Sequence, residues 1–215
     1  TRSANPHGLS APGHYTTARD IGAMCARGLA MPKFADIVGS TELWSSKLVG
    51  DEVVGSTLVY NTNKLLWSYQ GADGVKTGTT SAAGHCLAAS ATRDGLQLIA
   101  VVLKSGARFN DSARLLDYGF QNFVRHDIAD AGQEVAAALV SRGVAASVGM
   151  APAGAVHAVV RTAALGQLTT VIDCPERPQA PVLAGQRLGW LRVLVGPDEV
   201  EAYPLYATNG VRRRW

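Results

Sequence analysis

Two apolar runs, residues 86–91 and 96–103, stand on either side of Arg93-Asp94-Gly95. An Asp-Gly pair between apolar runs is a hairpin signal, because a two-residue turn needs left-handed backbone that Asp and Gly tolerate. The two runs are therefore expected to be adjacent antiparallel strands. A hairpin must bury its apolar side against something, and the surrounding sequence offers helices for this. Thr17 and Asp20 form a Thr-x-x-Asp capping pattern, after which Ile21, Met24, Cys25 and Leu29 recur at helical spacing until Pro32 interrupts. A second short helix is expected over about residues 32–38. Asn110 or Asp111 can cap a third helix running to Phe123, with Leu115, Leu116, Phe120 and Phe123 on its inner face.

From Leu58 to the hairpin the pattern is one of short apolar runs punctuated by Asn61, Asn63, Gly71 and Gly74. Beyond Arg125 the helical pattern gives out, and residues 155–161, 169–172, 188–195 and 200–206 read as strands, with Gly196-Pro197-Asp198 as a turn. A boundary is therefore placed near residue 125, with residues 1–124 as an α+β unit, residues 125–209 as a small all-β domain, and residues 210–215 left over. There is no internal repeat and no low-complexity tract.

Composition excludes several classes. With 47% hydrophobic and 17% charged residues and 23 glycines among 215 residues, the chain is a folded globular one rich in turns rather than disordered or coiled-coil. The formal charge is +3, and much of the excess sits in Arg212, Arg213 and Arg214; no basic stripe marks the body of the chain, so nucleic-acid binding is not expected. Cys25, Cys86 and Cys174 are odd in number and lack CxxC spacing, so they suggest neither a zinc site nor a disulfide framework and are read as small buried hydrophobes. No cofactor or metal is expected. No apolar run of about 18 residues could span a bilayer. The chain opens on Thr1 rather than Met, and its true start is expected to have been removed.

The chemistry concentrates in Asp73-Gly74-Val75-Lys76-Thr77-Gly78-Thr79-Thr80. A Lys-Thr-Gly tripeptide alone is a weak signal, and taken alone it reads as a solvated strand lysine with a glycine bulge. Here it is expected to begin a strand that leads into the hairpin. An ammonium, a hydroxyl and a backbone N–H would then face one groove beside a sheet edge, which suits a peptide ending in a carboxylate. His85 and Cys86 are strand neighbours pointing to opposite faces and cannot act as a Cys-His pair. His7 and His14 flank a loop without a third metal ligand and are assigned to loop packing.

The segments Asn5-Pro6-His7-Gly8-Leu9, Ala11-Pro12-Gly13-His14, Ala18-Arg19-Asp20, Asn61-Thr62-Asn63, Gly74 through Thr79, and Leu115-Leu116-Asp117-Tyr118-Gly119-Phe120 follow one another in a recognisable order. In that order and spacing the chain resembles the low-molecular-mass penicillin-binding proteins, which are serine D-alanyl-D-alanine carboxypeptidases. The likeness covers residues 5–123, and the β-rich tail resembles the family's second domain more loosely.

The resemblance implies a partial penicillin-binding domain, α/β (α+β) and like that of serine β-lactamases, followed by a small all-β domain. The family works with Ser-x-x-Lys, Ser-x-Asn and Lys-Thr-Gly. Carried over by resemblance, Lys76 is catalytic and helps hold the substrate carboxylate, Thr77 donates its hydroxyl to the substrate, Gly78 belongs to the substrate-binding set, and the Thr79 N–H is half of an oxyanion hole. Arg108 matches an arginine that assists carboxylate binding, against the plainer reading of an exposed loop arginine. No lysine here has a serine three residues before it, so Ser-x-x-Lys is absent from these residues. Ser3-Ala4-Asn5 spells Ser-x-Asn, but Asn5 belongs to the Asn-Pro-His-Gly-Leu loop, which in the family lies after the true motif.

The implied partners are a peptidoglycan stem peptide ending in D-Ala-D-Ala, β-lactam antibiotics for the complete protein, and a membrane surface reached through a C-terminal anchor. Arg212 to Trp215 would begin that anchor, giving an extracytoplasmic, membrane-associated place. The alternatives are a non-catalytic binder of cell-wall peptides and a relative of the serine β-lactamases.

Overall fold

The computed structural model describes residues 1–175 and 177–215 and divides them into two compact units, Thr1–Gln121 and Asn122–Trp215. The first unit is built on a three-stranded antiparallel sheet in the order β3-β4-β5, from β3 (Ala72–Thr80), β4 (Gly84–Arg93) and β5 (Leu96–Val102). Arg93 pairs with Leu96, so the turn is Asp94-Gly95, with φ of 48° and 74°. Those two left-handed residues are what the Asp-Gly signal requires. The central strand β4 is buried from Leu87 to Ala91, because helices cover both of its faces.

One cover is α1 (Ala18–Leu29) with α2 (Pro32–Gly39). The Thr17 hydroxyl accepts the Asp20 N–H at 3.1 Å and closes the first turn of α1. Cys25 and Leu29 then pack against Val75 and Ala88. Pro32 opens α2 at a position where its missing N–H costs nothing. The other cover is α4 (Arg108–Asn122), whose Leu116 joins Leu87, Ala89, Ala91, Ala100 and Leu65 of the short helix α3 (Leu65–Ser68) in a second cluster. A Cβ at Gly119 would lie 2.5 Å from Leu98 Cδ1, so α4 approaches β5 closely only because this residue is glycine.

Two expectations for this unit need correction. The third helix starts at Arg108, so Asn110 and Asp111 sit inside its first turn, and it ends at Asn122, so Phe123 belongs to the following strand. Leu116 and Phe120 pack inward as expected, but Leu115 is 49% exposed, and Ser112 and Gly119 are the further buried positions of the face. The sequence reading also passed over a two-stranded ribbon, β1 (Glu42–Val49) and β2 (Glu52–Tyr60), exposed along almost its whole length.

The second unit is all β apart from a 3₁₀ turn over Thr162–Gln167. β6 (Phe123–Ala129) pairs with β9 (Val156–Arg161). β7 (Ala136–Leu139), β8 (Ser147–Pro152), β10 (Leu168–Asp173), β11 (Arg187–Val195) and β12 (Asp198–Ala207) form an antiparallel sheet ordered β10-β11-β12-β8-β7. Alternation makes the core: Val156, Ala158 and Val160 turn inward while Val159 and Arg161 face solvent. The inward residues meet Val148, Met150, Leu191, Val193 and Leu205 in one cluster. Val211 bridges to Val182 and Arg213 to Gly143, so the end of the chain is bound into this unit. Among the described residues no helix is long and apolar enough to cross a membrane.

Candidate active site

Strand β3 is an edge strand, paired on one side with β4, and the Lys-Thr-Gly residues occupy its second half rather than its beginning. Thr77 stands opposite Leu87, Gly78 opposite Cys86, and Thr79 opposite His85. The His85 carbonyl accepts the Ser105 N–H at 3.0 Å, on the side of β4 away from β3. Opposed residues of an antiparallel pair alternate between exchanging hydrogen bonds and not exchanging them. Thr79 and Thr77 therefore belong to the non-bonded positions, and their N–H and C=O groups point outward along the open edge. The Lys76 ammonium folds over that edge and donates to the Thr77 carbonyl.

Each member of the motif has its own environment. Thr77 is 8% exposed, and its Oγ1 lies 2.5 Å from Thr62 Oγ1. Gly78 is exposed, and a Cβ there would meet nothing within 4 Å, so an incoming group finds room beside the backbone. Arg108, the first residue of α4, donates from Nη1 to Gly78 O at 3.0 Å, to Thr79 Oγ1 at 2.9 Å and to Cys86 O at 3.3 Å. Its guanidinium also sits over the Phe109 ring. The Thr79 hydroxyl is shared with His85 Nδ1 at 3.2 Å.

Two depressions meet this strand. Lys76, Thr77 and Gly78 line a groove of about 490 Å³ whose other walls include Thr16, Met24, Phe34 and Leu103. Arg108 lines a second one with His85 and Phe109. The structure thus brings Arg108 onto Gly78 and Thr79, while Lys76 and Thr77 face a mostly apolar groove in which Arg108 is not a wall. Cys25 also lines the groove, and burial pushes its thiol pKa up, which keeps it a protonated hydrophobe rather than a nucleophile.

The remaining candidates lie where loop packing places them. His14 Nδ1 accepts the Ala4 N–H and His7 Nδ1 accepts the Leu9 N–H, both within the opening loop. The Asn5 side chain ties that loop to Gly8 and Leu9, and Ser10 reaches Thr80 Oγ1 at 3.0 Å, at the end of the motif strand. Among the described residues no group of three or more His, Cys, Asp or Glu is placed to hold a metal. Asn61, Thr62 and Asn63 form a further group beside the motif strand, which Thr62 and Asn63 touch directly. Asn63, fully buried, donates from Nδ2 to Gly74 O at 2.7 Å, and Asn61 Nδ2 reaches Val38 O and Ser40 O.

A small antiparallel sheet sandwiched by helices, with Lys-Thr-Gly on its open edge, defines the penicillin-binding class of site. The comparisons with known proteins agree. A family model described as D-alanyl-D-alanine carboxypeptidase matches residues 1–107, and one described as the C-terminal domain of penicillin-binding protein 5 matches residues 123–213. D-alanyl-D-alanine carboxypeptidase DacF of Bacillus subtilis is 26% identical over 99% of this chain and 55% of its own length. The DacA enzyme of Haemophilus influenzae is 30% identical over 98% of this chain and 53% of its own length. The crystal structure of penicillin-binding protein 5 from Haemophilus influenzae superposes with a TM-score of 0.76 at 27% identity, over 98% of this chain and 60% of that one. The chain belongs to the D-alanyl-D-alanine carboxypeptidase family of low-molecular-mass penicillin-binding proteins. It spans about half the length of the curated relatives it matches.

Proposed function

We propose that these residues supply the carboxylate-binding and oxyanion side of a serine D-alanyl-D-alanine carboxypeptidase that trims peptidoglycan stem peptides. The observation that carries this reading is the open edge of β3, where the Thr77 and Thr79 backbone groups point outward beside an unobstructed Gly78. A peptide laid along that edge adds a strand, so main-chain hydrogen bonds align it. Lys76 and Arg108 attract its terminal carboxylate, the Thr77 hydroxyl donates to it, and the outward Thr79 N–H stabilises charge on the scissile carbonyl oxygen. A serine hydroxyl then attacks the penultimate D-alanine carbonyl and gives its proton to a base, which passes it to the leaving nitrogen as the C–N bond breaks and the terminal D-alanine departs; water then hydrolyses the serine ester to the shortened peptide and free serine. The same geometry accepts a β-lactam in place of the peptide. The protein is placed outside the cytoplasm, at the membrane that bounds the cell wall. The two units are read as a peptidase domain ending near residue 124 and an accessory β domain.

Acylation needs an activated serine, and the edge described here stabilises only charge that such a nucleophile generates. The 215-residue chain is therefore expected to form no covalent adduct with a fluorescent penicillin. A polypeptide carrying these residues behind an in-frame Ser-x-x-Lys segment is expected to label at one serine, and to lose that labelling with Lys76→Ala. Stoichiometric labelling of the 215-residue chain itself would contradict this division of labour, and Ser3 is the residue to replace first in that event.

A further inference from the structure

Thr62 lies over the motif strand without contacting the peptide in the arrangement proposed above. It is an exposed threonine between two anchored asparagines, and its hydroxyl lies 2.5 Å from that of Thr77. The anchoring is complete on both sides. Asn61 Nδ2 donates to Ser40 O at 3.0 Å and Val38 O at 3.3 Å at the end of α2, while its Oδ1 accepts the Asn63 N–H at 2.9 Å. Asn63 donates to Gly74 O inside the fold, and its Oδ1 accepts the Leu65 N–H at 3.3 Å. Residues 61–63 therefore clamp the end of α2, the start of α3 and the motif strand together, with Thr62 held over Thr77.

A hydroxyl carries one proton and accepts through two lone pairs. One proton lies between the two oxygens, and its owner decides what Thr77 can do. If Thr77 donates to Thr62, nothing is left for a ligand. If Thr62 donates, the Thr77 oxygen is an acceptor, and its own proton is turned outward and made more acidic by the bond it accepts. Resting on the reading of Thr77 as a ligand donor, we propose that Thr62 is a positioning residue: its hydroxyl donates to Thr77 Oγ1 and so commits the Thr77 proton to the carboxylate of a bound peptide.

The test uses the 215-residue chain and N-acetyl-D-alanyl-D-alanine, titrated and followed by amide NMR shifts. Thr62→Val keeps the shape and removes the proton, and it is expected to weaken binding about fivefold to tenfold, the size of one hydrogen bond to a charged group. Thr62→Ser restores the hydroxyl and is expected to stay within about twofold of the parent, since a serine offers the same donor. The pair Thr62→Val with Thr77→Val is expected to bind no more weakly than Thr77→Val alone, because the two residues act as one unit. Unchanged binding in Thr62→Val, or a Thr62→Ser variant as weak as Thr62→Val, overturns the proposal.

A second readout needs no ligand. Three-bond couplings at Thr77 are expected to report a single χ1 rotamer in the parent chain and averaging in Thr62→Val. Averaging already in the parent overturns the positioning role by itself. A locked Thr77 in a parent chain that takes no peptide overturns the ligand reading of the site, and with it the donor half of this proposal.

Discussion

The two units of this chain solve the burial problem differently. In the second, inward residues of the β6-β9 pair and of the five-stranded sheet converge on one cluster, with Met150, Val156, Val193, Leu205 and Val211 fully buried in it. In the first, a three-stranded sheet divides its apolar residues between two thinner layers, and the large side chains buried to the same degree are Leu87 and Leu116. Met24, Met31, Ile37 and Leu103 remain substantially exposed there, around the groove and helices beside β3. The second unit gathers its apolar residues in one cluster, whereas the first divides them between two smaller ones and leaves more apolar surface beside β3, so it is expected to hold less stability of its own. The contrast can be tested in several ways.

The largest expected effect comes from separating the units. Residues 122–215 alone are expected to unfold in urea as a single cooperative transition, whereas residues 1–121 alone are expected to aggregate or to bind a hydrophobic dye without a sharp transition. A cooperative, dye-free residues 1–121 would erase the distinction. Within the second unit, Leu205→Ala removes a fully buried side chain from the centre of the single cluster. It is expected to cost about 2–5 kcal/mol, read as a shift in the urea midpoint of residues 122–215.

A smaller effect is expected from Asn63→Ala in the first unit, which leaves the Gly74 carbonyl without its buried partner. The loss should be about 1–3 kcal/mol, and the Thr77 and Gly78 amide signals should move with it because the clamp lies on their strand. The smallest effect is one of pH. Burial, then the hydrogen bond to Asp117 at 2.7 Å, pushes the Tyr69 phenol up to about 12. A folded-state pKa above the unfolded value means the folded chain holds its proton more tightly. The contribution is thus full below about pH 10 and fades as pH rises toward 12. Tyr69→Phe should remove that part of the alkaline slope, measured as urea midpoint against pH, and an unchanged slope would show that Tyr69 titrates alike in both states.

Local chemistry was the most legible part of the sequence. The Asp94-Gly95 turn, the Thr17 cap and the strand over residues 155–161 are each determined by neighbours in the chain, and they stand where their patterns point. The exposed ribbon β1-β2 carries Trp44, Leu48, Val53 and Tyr60 without a buried face, so the alternation that marks a half-buried strand is missing. Phe123 is expected to end a helix because it continues the apolar spacing of α4, whereas its pairing with Arg161 makes it the first residue of β6. At the site, Lys76, Thr77, Gly78, Thr79 and Arg108 could be named from their order. The outward direction of the Thr79 N–H depends on which neighbour holds the His85 carbonyl, and the Thr62–Thr77 contact joins residues fifteen apart. Neither is visible in a linear pattern.

The central claim, that the edge of β3 is a carboxylate-terminated peptide site, is tested most directly by titrating the isotopically labelled 215-residue chain with N-acetyl-D-alanyl-D-alanine and mapping the amide shifts. The account predicts saturable shifts at Thr77, Gly78 and Thr79 and at the Arg108 side-chain N–H, weakened by Lys76→Ala and by added salt. Shifts confined to residues 122–215, or none along β3 at saturating peptide, would contradict it.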